Sequence, residues 1–401
     1  MRYMTKPNRV FSLLGRWSSL LLVAAMLGGC SALPRQPVPL NIMDKAVVAG
    51  IPEARAIPGE ATANSAFETD FLQLARQYLA SDARTPVHAL ALSGGGDYGA
   101  FGAGVLVGWT HAGTRPSFNV VTGISTGAIM ATFAFLGPAY DATLRDAYTT
   151  ISAENVYRGR TISLFWSDAL TDSTPLVELI HRFVNDDVVA AVARAYHDGR
   201  RLYVGTTNLD ADRLVIWNMG AIAAHGRPDL FRKILLASAA IPGVFPPVMI
   251  KVQADGHPYD EMHVDGGVKA QMFLMSTILD IERLRSRMPS VNERPLPVTI
   301  YAIRNAKTGP EPAPVRRTLA DISTRALSSA LRTQGVHDLL RAYQLAHDNG
   351  VRFRWVSLPD DYRNTSGEDF DRVEMNRLFD IGYRLGIQGG GWHDEPPIAT
   401  P

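Results

Sequence analysis

Two glycine-rich turns in the first half of the chain limit the folds that it can adopt. The first, SGGGDYG at 93–99, follows the apolar run 87–92 and precedes a small-residue segment at 100–109. The second, GISTG at 123–127, lies between the apolar run 118–122 and a helix predicted to end at 136. An apolar run that ends in glycines is typical of a buried parallel strand, so both patterns predict strand–turn–helix units.

The remainder of the chain continues this alternation. Further strands are predicted at 202–207, 214–217, 248–252, 261–264, 298–303 and 351–358, and helices at 175–196, 229–239, 319–347 and 370–385, with a break near Gly335. Strands that alternate with helices favour an α/β fold with a largely parallel sheet. Right-handed crossovers then bring the carboxyl ends of the strands to one edge, where sites usually form.

The first turn satisfies the dinucleotide-binding pattern G-x-G-x-x-G. That pattern also needs an acidic residue about 20 positions later, yet no Asp or Glu occurs between Asp97 and Asp141. A Walker-type phosphate loop would continue with Lys and Ser or Thr, whereas Ala100 and Phe101 stand there. The sequence therefore disfavours nucleotide binding.

The same glycines suit an oxyanion hole. Backbone N–H groups at the start of a helix are exposed to whatever lies above them, and a tetrahedral acyl intermediate needs two or three such donors. We expect donors from Gly94, Gly95 and Gly96, together with the N–H of Thr126, which follows a candidate nucleophile.

The second turn contains that candidate, Ser125, in a G-x-S-x-G pattern. Gly123 and Gly127 remove side chains where a tight strand-to-helix turn would clash, which is what a nucleophile elbow requires. Serine is also a good helix N-cap, so taken alone this stretch fits either interpretation.

A serine nucleophile needs a base, and the carboxylate of Asp265 is the best-placed candidate among the acidic residues. It ends a predicted strand and is followed by Gly266 and Gly267, which let the chain turn at once. An ordinary Asp-Gly turn is the competing interpretation. If Asp265 is the base, burial against an acyl pocket should raise the pKa of its carboxyl group above about 3.9.

Histidine offers a different base. His263 could share a strand face with Asp265, whereas His337 and His347 lie on the late predicted helices and resemble surface residues. A Ser-Asp-His hydrolase that acts on a soluble ester therefore stays an alternative.

Together, SGGGDYG, GISTG and DGG, in that order, resemble the patatin-like phospholipases. The stretch LASAAIPGVFPP at 236–247 resembles the helix and proline-rich turn upstream of that family's aspartate, and the resemblance covers roughly 87–272. It implies a three-layer fold with a central, largely parallel sheet flanked by helices. It also implies a serine acyl hydrolase in which Ser125 is the nucleophile, Asp265 is the general base and acid, and no histidine takes part.

The resemblance implies neither a cofactor nor a metal. It has one departure, because many members carry Arg or Lys where this chain has Tyr98. That difference removes a cation that could orient an anionic head group, and the neighbouring Asp97 would repel one.

The amino-terminal residues suggest export. Basic residues are followed by the apolar run 20–27 and by LGGC, which resembles the lipobox of bacterial lipoproteins. We predict a signal peptide at 1–29, a lipidated Cys30 that begins a Pro-rich tether at 30–85, an acyl hydrolase domain at 86–390 and a tail at 391–401. By the same resemblance to bacterial lipoproteins, Ser31 in place of Asp favours the outer membrane of a bacterial cell envelope. An uncleaved membrane helix or an ordinary cleaved signal would be the alternatives.

Composition limits the classes of partner that the chain is expected to bind. The net charge of +1 gives no electrostatic reason to expect nucleic acid, and the single cysteine excludes a disulfide within the chain. The resemblance to the patatin-like phospholipases and the expected membrane anchor imply membrane lipid as both substrate and anchor, with a phospholipase A or lysophospholipase type of activity. A non-catalytic, lipid-binding envelope lipoprotein is the alternative from another class. Protein partners are not predicted.

Overall fold

The computed structural model describes residues 34–58, 65–80, 86–156, 158–159, 171–274 and 297–397. Within these residues nine strands form one sheet, in the order β1-β7-β6-β3-β2-β10-β11, with β9 pairing with both β6 and β8. The strands are β1 Arg55–Ala56, β2 Val87–Leu92, β3 Val120–Ile124, β6 Arg201–Asn208, β7 Arg213–Asn218, β8 Val248–Ala254, β9 His257–Asp265, β10 Val298–Arg304 and β11 Arg352–Ser357, and a separate two-stranded sheet pairs β4 Arg158–Gly159 with β5 Thr171–Asp172.

The central strands β6, β3, β2, β10 and β11 run parallel, and the antiparallel pairs lie at the β7 and β8–β9 side. The described helices are α1 Ser65–Ala80, α2 Gly99–His111, α3 Thr126–Leu136, α4 Asp141–Thr149, α5 Ala153–Val156, α6 Thr174–Phe183, α7 Asp186–His197, α8 Met219–Ala224, α9 Pro228–Ser238, α10 Leu319–Asp348 and α11 Arg372–Ile387. The mixed α/β fold with a largely parallel central sheet agrees with the sequence prediction.

Alternate strand residues face opposite layers of helices, as the two-residue repeat of a strand requires. Leu90 and Leu92 join a large core with α2, α3 and α11, whereas Ala91 faces a second core that includes residues of α10. A third cluster packs Phe67 of α1 against Tyr203 of β6. The sheet is thus covered on both faces, which explains why its parallel strands are almost uniformly apolar.

Two predicted helices differ from the structure. The segment predicted at 175–196 divides into α6 and α7, because the Asn185 side chain accepts the Val188 N–H at 3.0 Å and starts a new helix. The predicted break at Gly335 does not occur, and α10 is continuous. A Cβ at Gly335 would lie 2.1 Å from the Arg304 guanidinium, so this glycine allows a close approach instead.

The prediction of a Pro-rich tether at 30–85 needs correction, because residues 34–58 of that range pack against the domain. Val47 bridges Gln253 of β8, and β1 pairs with β7. The Arg55 guanidinium is buried in an ion pair with Glu261 of β9, with one N–O distance of 3.0 Å. Prolines tolerate this extended path along strand edges, so proline content alone did not indicate a free linker. Cys30 and the predicted signal peptide lie outside the described residues.

The predicted tail also begins inside the packed structure. The Trp392 ring lies 4.7 Å from Trp109 and 5.2 Å from Tyr301, measured between ring centroids. His393 forms an isolated bridge with Trp355 of β11. The aromatic side chain of Trp392 therefore extends the domain beyond 390. Among the described helices, none combines the length and apolar character needed to cross a membrane.

Candidate active site

Ser125 occupies a strained turn between β3 and α3. Its φ of 56° and ψ of −129° are rarely adopted by residues other than glycine. A Cβ at Gly123 would lie 2.3 Å from the Gly127 carbonyl oxygen, and one at Gly127 would lie 2.5 Å from the Ser93 carbonyl oxygen. Both glycines therefore permit the backbone contacts that close the elbow.

Asp265 reaches the same edge of the sheet from β9. It lies opposite Thr206 of β6, and its carboxylate accepts the Gly267 N–H at 2.7 Å. The next residue must be small, because a Cβ at Gly266 would lie 2.5 Å from the Gly205 carbonyl oxygen. The DGG turn thus holds the carboxylate at the strand end.

Ser125 and Asp265 lie beside the same stretch of β6, because Ile124 pairs with Gly205 and Asp265 pairs with Thr206, although the two residues are far apart in the sequence. Both residues are buried, at 7% and 5% exposed. Burial raises the pKa of the Asp265 carboxyl group to about 6, against the opposing effects of the Ser125 hydroxyl and the Gly267 amide. A carboxylate with this pKa is a stronger proton acceptor than an exposed one and is still ionised at neutral pH.

His263 lies on the same strand but belongs to a separate buried network. Its Nδ1 is 2.8 Å from Thr206 Oγ1, and its Nε2 is 3.1 Å from a carboxylate oxygen of Glu261. Burial lowers the pKa of the His263 imidazole. For Glu261, burial opposes ionisation, but Arg55 and His263 outweigh it and hold its pKa at about 2. Both ring nitrogens of His263 therefore already have partners away from Ser125.

The two later histidines lie on α10, and both are exposed. His347 has Asp348 as its charged neighbour, with 3.7 Å between Nδ1 and the carboxylate. His337 lines a surface pocket together with Glu311 and Arg332, and it is not among the residues that line the pocket at Ser125. A catalytic imidazole is usually oriented by a buried partner, and an exposed position on a surface helix does not provide that environment.

The glycine turn supplies fewer donors than its sequence suggested. The Gly94 N–H donates to the Gln271 carbonyl at 3.0 Å. The prediction that Gly94 donates to the oxyanion is therefore corrected, because this amide is already engaged. Gly94 instead allows a close approach, since a Cβ there would lie 3.3 Å from the Cβ of Ser125. Within the described residues, no hydrogen bond to another element engages the amides of Gly95, Gly96 or Thr126.

Asn305, just past the end of β10, supports this turn and was missed by the sequence reasoning. Its side-chain amide donates to the Ser93 carbonyl at 2.8 Å, and its own backbone N–H donates to Ser93 Oγ at 2.8 Å. A Cβ at Gly95 would lie 2.1 Å from the Asn305 carbonyl oxygen. Its position after a predicted strand was the only available signal.

Ser238 supports the elbow and was also missed as a functional residue. Its hydroxyl accepts the Ser125 N–H at 2.9 Å and donates to the Gly205 carbonyl at 2.7 Å. This bridge joins α9 to β6 across the nucleophile. The residue lies in the quoted stretch at 236–247, but its partner could not be identified without the fold.

An apolar pocket of about 560 Å³, counted to its open mouth, begins at Ser125 and Thr126. Its walls come from α3, α6, α11 and the proline-rich turn after α9. The apolar lining includes Ile129, Ile151, Leu176, Leu179, Ile241, Phe245, Phe370 and Met375. This apolar lining suits an acyl chain whose carbonyl end lies at the serine.

Tyr98 and Asp97, which stand where the sequence departs from the family motif, both pack against the carboxyl-terminal part of the chain. Tyr98 is half-buried and contacts Tyr362 edge to face, with ring centroids 5.9 Å apart. Asp97 is buried, and its carboxylate accepts the Phe370 N–H at 3.3 Å. Burial, with the nearby Asp369, raises the pKa of Asp97 to about 7. The sequence had suggested that Asp97 would repel an anionic head group. In the structure the Asp97 carboxyl group is buried, so it is not an exposed anion that could do so.

Among the described residues, no cluster of three or more His, Cys, Asp and Glu side chains could hold a metal ion.

Comparison with known proteins identifies the domain. Residues 90–278 match the family model described as patatin-like phospholipase. This part of the chain is a patatin-like phospholipase domain. The membership makes lipid acyl hydrolysis the general activity expected of the domain.

Among solved structures, VipD from Legionella pneumophila is similar to the chain with a TM-score of 0.38 and 10% sequence identity, over 76% of this chain and 67% of that one. No curated protein matched the sequence.

Proposed function

We propose that the patatin-like domain is a serine lipid acyl hydrolase of the phospholipase A or lysophospholipase type. The observation that carries the proposal is the placement of Ser125 and the buried Asp265 carboxylate beside the same stretch of β6, with Ser125 lining an apolar pocket. The strained elbow and the unengaged amides of the glycine turn support the same chemistry.

In the proposed first step, Ser125 Oγ attacks the ester carbonyl carbon while Asp265 accepts the hydroxyl proton. The amides of Gly95, Gly96 and Thr126 are the candidate donors to the oxyanion, which forms only as the bond is made. The tetrahedral intermediate then expels the alcohol, which takes the proton from Asp265. The acyl group stays on Ser125, with its chain in the apolar pocket.

In the second step, water attacks the acyl-enzyme and gives its proton to Asp265. Collapse of this intermediate releases the fatty acid, and the proton returns to Ser125 Oγ. The raised pKa of Asp265 suits both directions of transfer, because efficient acid–base catalysis uses a group that titrates near the working pH.

The proposed location rests on the sequence. The apolar run and LGGC before Ser31 support export and lipidation at Cys30, with the bacterial outer membrane as the destination. Two or more acyl chains would anchor the protein stably, since each buried methylene contributes about 0.8 kcal/mol. Such an anchor would keep the domain beside its lipid substrate.

Release of fatty acid and lysophospholipid from mixed micelles tests the function. The full chain in mild detergent should release both products, whereas Ser125→Ala should release neither. Ser323→Ala, at an exposed serine on α10, is the matched control and should retain wild-type rates. Release of fatty acid by Ser125→Ala, or no release by the wild-type protein, would refute the proposal.

A further inference from the structure

The amino-terminal half of α10 has apolar side chains on its solvent side. Leu319 is 84% exposed and Ile322 is 50% exposed, and Ala326 and Leu327 are also exposed. Their spacing of i, i+3, i+7 and i+8 places all four on one face of the helix, which we term the outer face. A helix on the surface of a globular domain ordinarily has the reverse arrangement, with its apolar face towards the core.

The opposite face of this half is polar and already has partners in the domain. Arg325 donates to the backbone carbonyl of Glu311, in the loop after β10, and Arg332 pairs with the Glu311 carboxylate at 2.8 Å. Arg304, at the end of β10, donates to the Arg332 carbonyl at 3.1 Å. These bonds hold the polar face inward, so the fold itself keeps the outer face exposed.

This half of α10 extends beyond the edge of the sheet at which Ser125 lies. α10 ends just before β11 begins, so the helix runs back along the sheet towards the amino ends of the parallel strands. The Asp338 carboxylate of α10 accepts the Gln271 N–H at 2.7 Å, and the Gln271 carbonyl accepts the N–H of Gly94, just past β2. Asp338 is therefore level with the carboxyl ends of the strands. Leu319 begins the helix about 28 Å further out, at a rise of about 1.5 Å per residue.

The amino-terminal segment reaches the same edge. β6 is parallel to β3 and ends at Asn208, and the Asp210 carboxylate just beyond it accepts from the Arg35 guanidinium. Cys30 is five residues before Arg35, and a chain of that length spans at most about 18 Å. The proposed lipid anchor at Cys30 therefore starts close to the edge at which Ser125 lies.

We propose that the outer face of α10 docks on a lipid bilayer and enters its interfacial region. Insertion would remove the apolar face from water, and Arg317, exposed just before the helix, would lie among the lipid phosphates. Val373, at the start of α11, adds an apolar side chain that is 75% exposed at this edge, two residues from Met375 of the acyl pocket. This inference rests on the proposed function and specifies how the domain would approach its substrate.

Fluorophores at single sites test the docking directly. The full chain carries Cys30→Ser, which removes its one cysteine, and Ser125→Ala, so that it does not hydrolyse the vesicles. Ile322→Cys then places the fluorophore on the outer face, and Ile387→Cys places it at the far end of α11 from the acyl pocket. With vesicles of phosphatidylcholine and phosphatidylglycerol, emission at 322 should shift to shorter wavelength and be quenched by nitroxide-labelled acyl chains, whereas emission at 387 should not change.

Polar substitutions measure how much the outer face contributes. In the Ser125→Ala chain, Leu319→Ser and Ile322→Ser should each lower the vesicle binding constant by about tenfold, as measured by co-sedimentation. Arg317→Gln should lower it by about fivefold, and only when the vesicles contain phosphatidylglycerol. Ile387→Ser is the matched control and should not alter binding.

The same substitutions in the active chain connect docking to turnover. Leu319→Ser and Ile322→Ser should slow hydrolysis of vesicle phospholipid by about tenfold each, in proportion to the loss of binding. Hydrolysis of p-nitrophenyl butyrate, which needs no lipid surface, should be unchanged and would establish that the variants fold.

Equal quenching at 322 and 387, no quenching at either site, or equal vesicle binding by Ile322→Ser and Ile387→Ser would overturn the proposal and leave the esterase intact. A shift at 322 that grows with protein concentration in the absence of vesicles would assign the outer face to a second copy of the chain instead. If the wild-type protein hydrolyses no ester, the proposed function fails, and the vesicle experiments still decide the docking because they need no turnover.

Discussion

Asp265 and His263 are buried two residues apart on one strand, yet their surroundings differ. Asp265 faces Ser125 at the end of β9, and burial raises the pKa of its carboxyl group to about 6. His263 is enclosed by Thr206 and Glu261, and burial lowers the pKa of its imidazole. The pKa of each group is shifted towards favouring its neutral form, but only the aspartate lies beside the candidate nucleophile.

This contrast bears on the choice between a dyad and a triad. Sequence alone left His263 as an alternative base because it could share a strand face with Asp265. In the structure its two ring nitrogens are both engaged, and its charged neighbour Glu261 is paired with Arg55 from the amino-terminal segment. The histidine network therefore stabilises β9, and Asp265 remains the proposed base.

The largest expected effect is the loss of the dyad. Ser125→Ala and Asp265→Asn should each reduce kcat by about 10⁴–10⁶, and the double variant should be no worse than either single one, because the two groups act as a unit. Steady-state hydrolysis of p-nitrophenyl butyrate measures this. Additive losses in the double variant would argue against a shared step.

The next largest effect is on the pH dependence of kcat/KM, which distinguishes Asp265 from His263 as the catalytic base. Because Asp265 must be ionised to accept a proton, kcat/KM should rise about tenfold per pH unit up to about 6 and then level. His263→Gln should retain that profile, since its imidazole does not titrate in the reaction. Disappearance of the acidic limb in His263→Gln would instead make histidine the base.

Replacement of His263 should cost stability more than activity. We expect His263→Gln to lower the free energy of unfolding by about 1–3 kcal/mol, because buried hydrogen-bonding groups lose partners, and to lower kcat by less than about tenfold. Urea denaturation and ester hydrolysis measure the two effects. His347→Gln makes the same change at an exposed position on α10, so it is the matched control and should alter neither quantity. Unchanged stability in His263→Gln would contradict the structural role of its network.

The last effect concerns the contribution of Asp265 to the free energy of unfolding. Its folded pKa is raised, so the native state binds its proton more tightly and this group's contribution falls as pH rises from about 4 to about 6. Asp265→Asn should therefore raise the free energy of unfolding by about 1–3 kcal/mol near pH 8, and by less near pH 4. Denaturation at both pH values measures it, and a loss of stability near pH 8 would contradict the assigned burial cost.

The sequence predicted the turns at the candidate site because their constraints are local. Glycines around Ser125 and after Asp265 are needed for backbone approaches, and these leave a pattern within a few residues. The supports from Ser238 and Asn305 depend on contacts between distant elements, so no local pattern revealed them. The same holds for residues 34–58, whose buried Arg55 pairs with Glu261 far along the chain.

Covalent labelling tests the central claim most directly. A fluorophosphonate probe should modify the wild-type chain on Ser125, as located by mass spectrometry of the labelled peptide. We predict that labelling is retained in His263→Gln and is slowed by at least about 10²-fold in Asp265→Asn. Labelling that persists in Asp265→Asn and is lost in His263→Gln would contradict the Ser-Asp dyad.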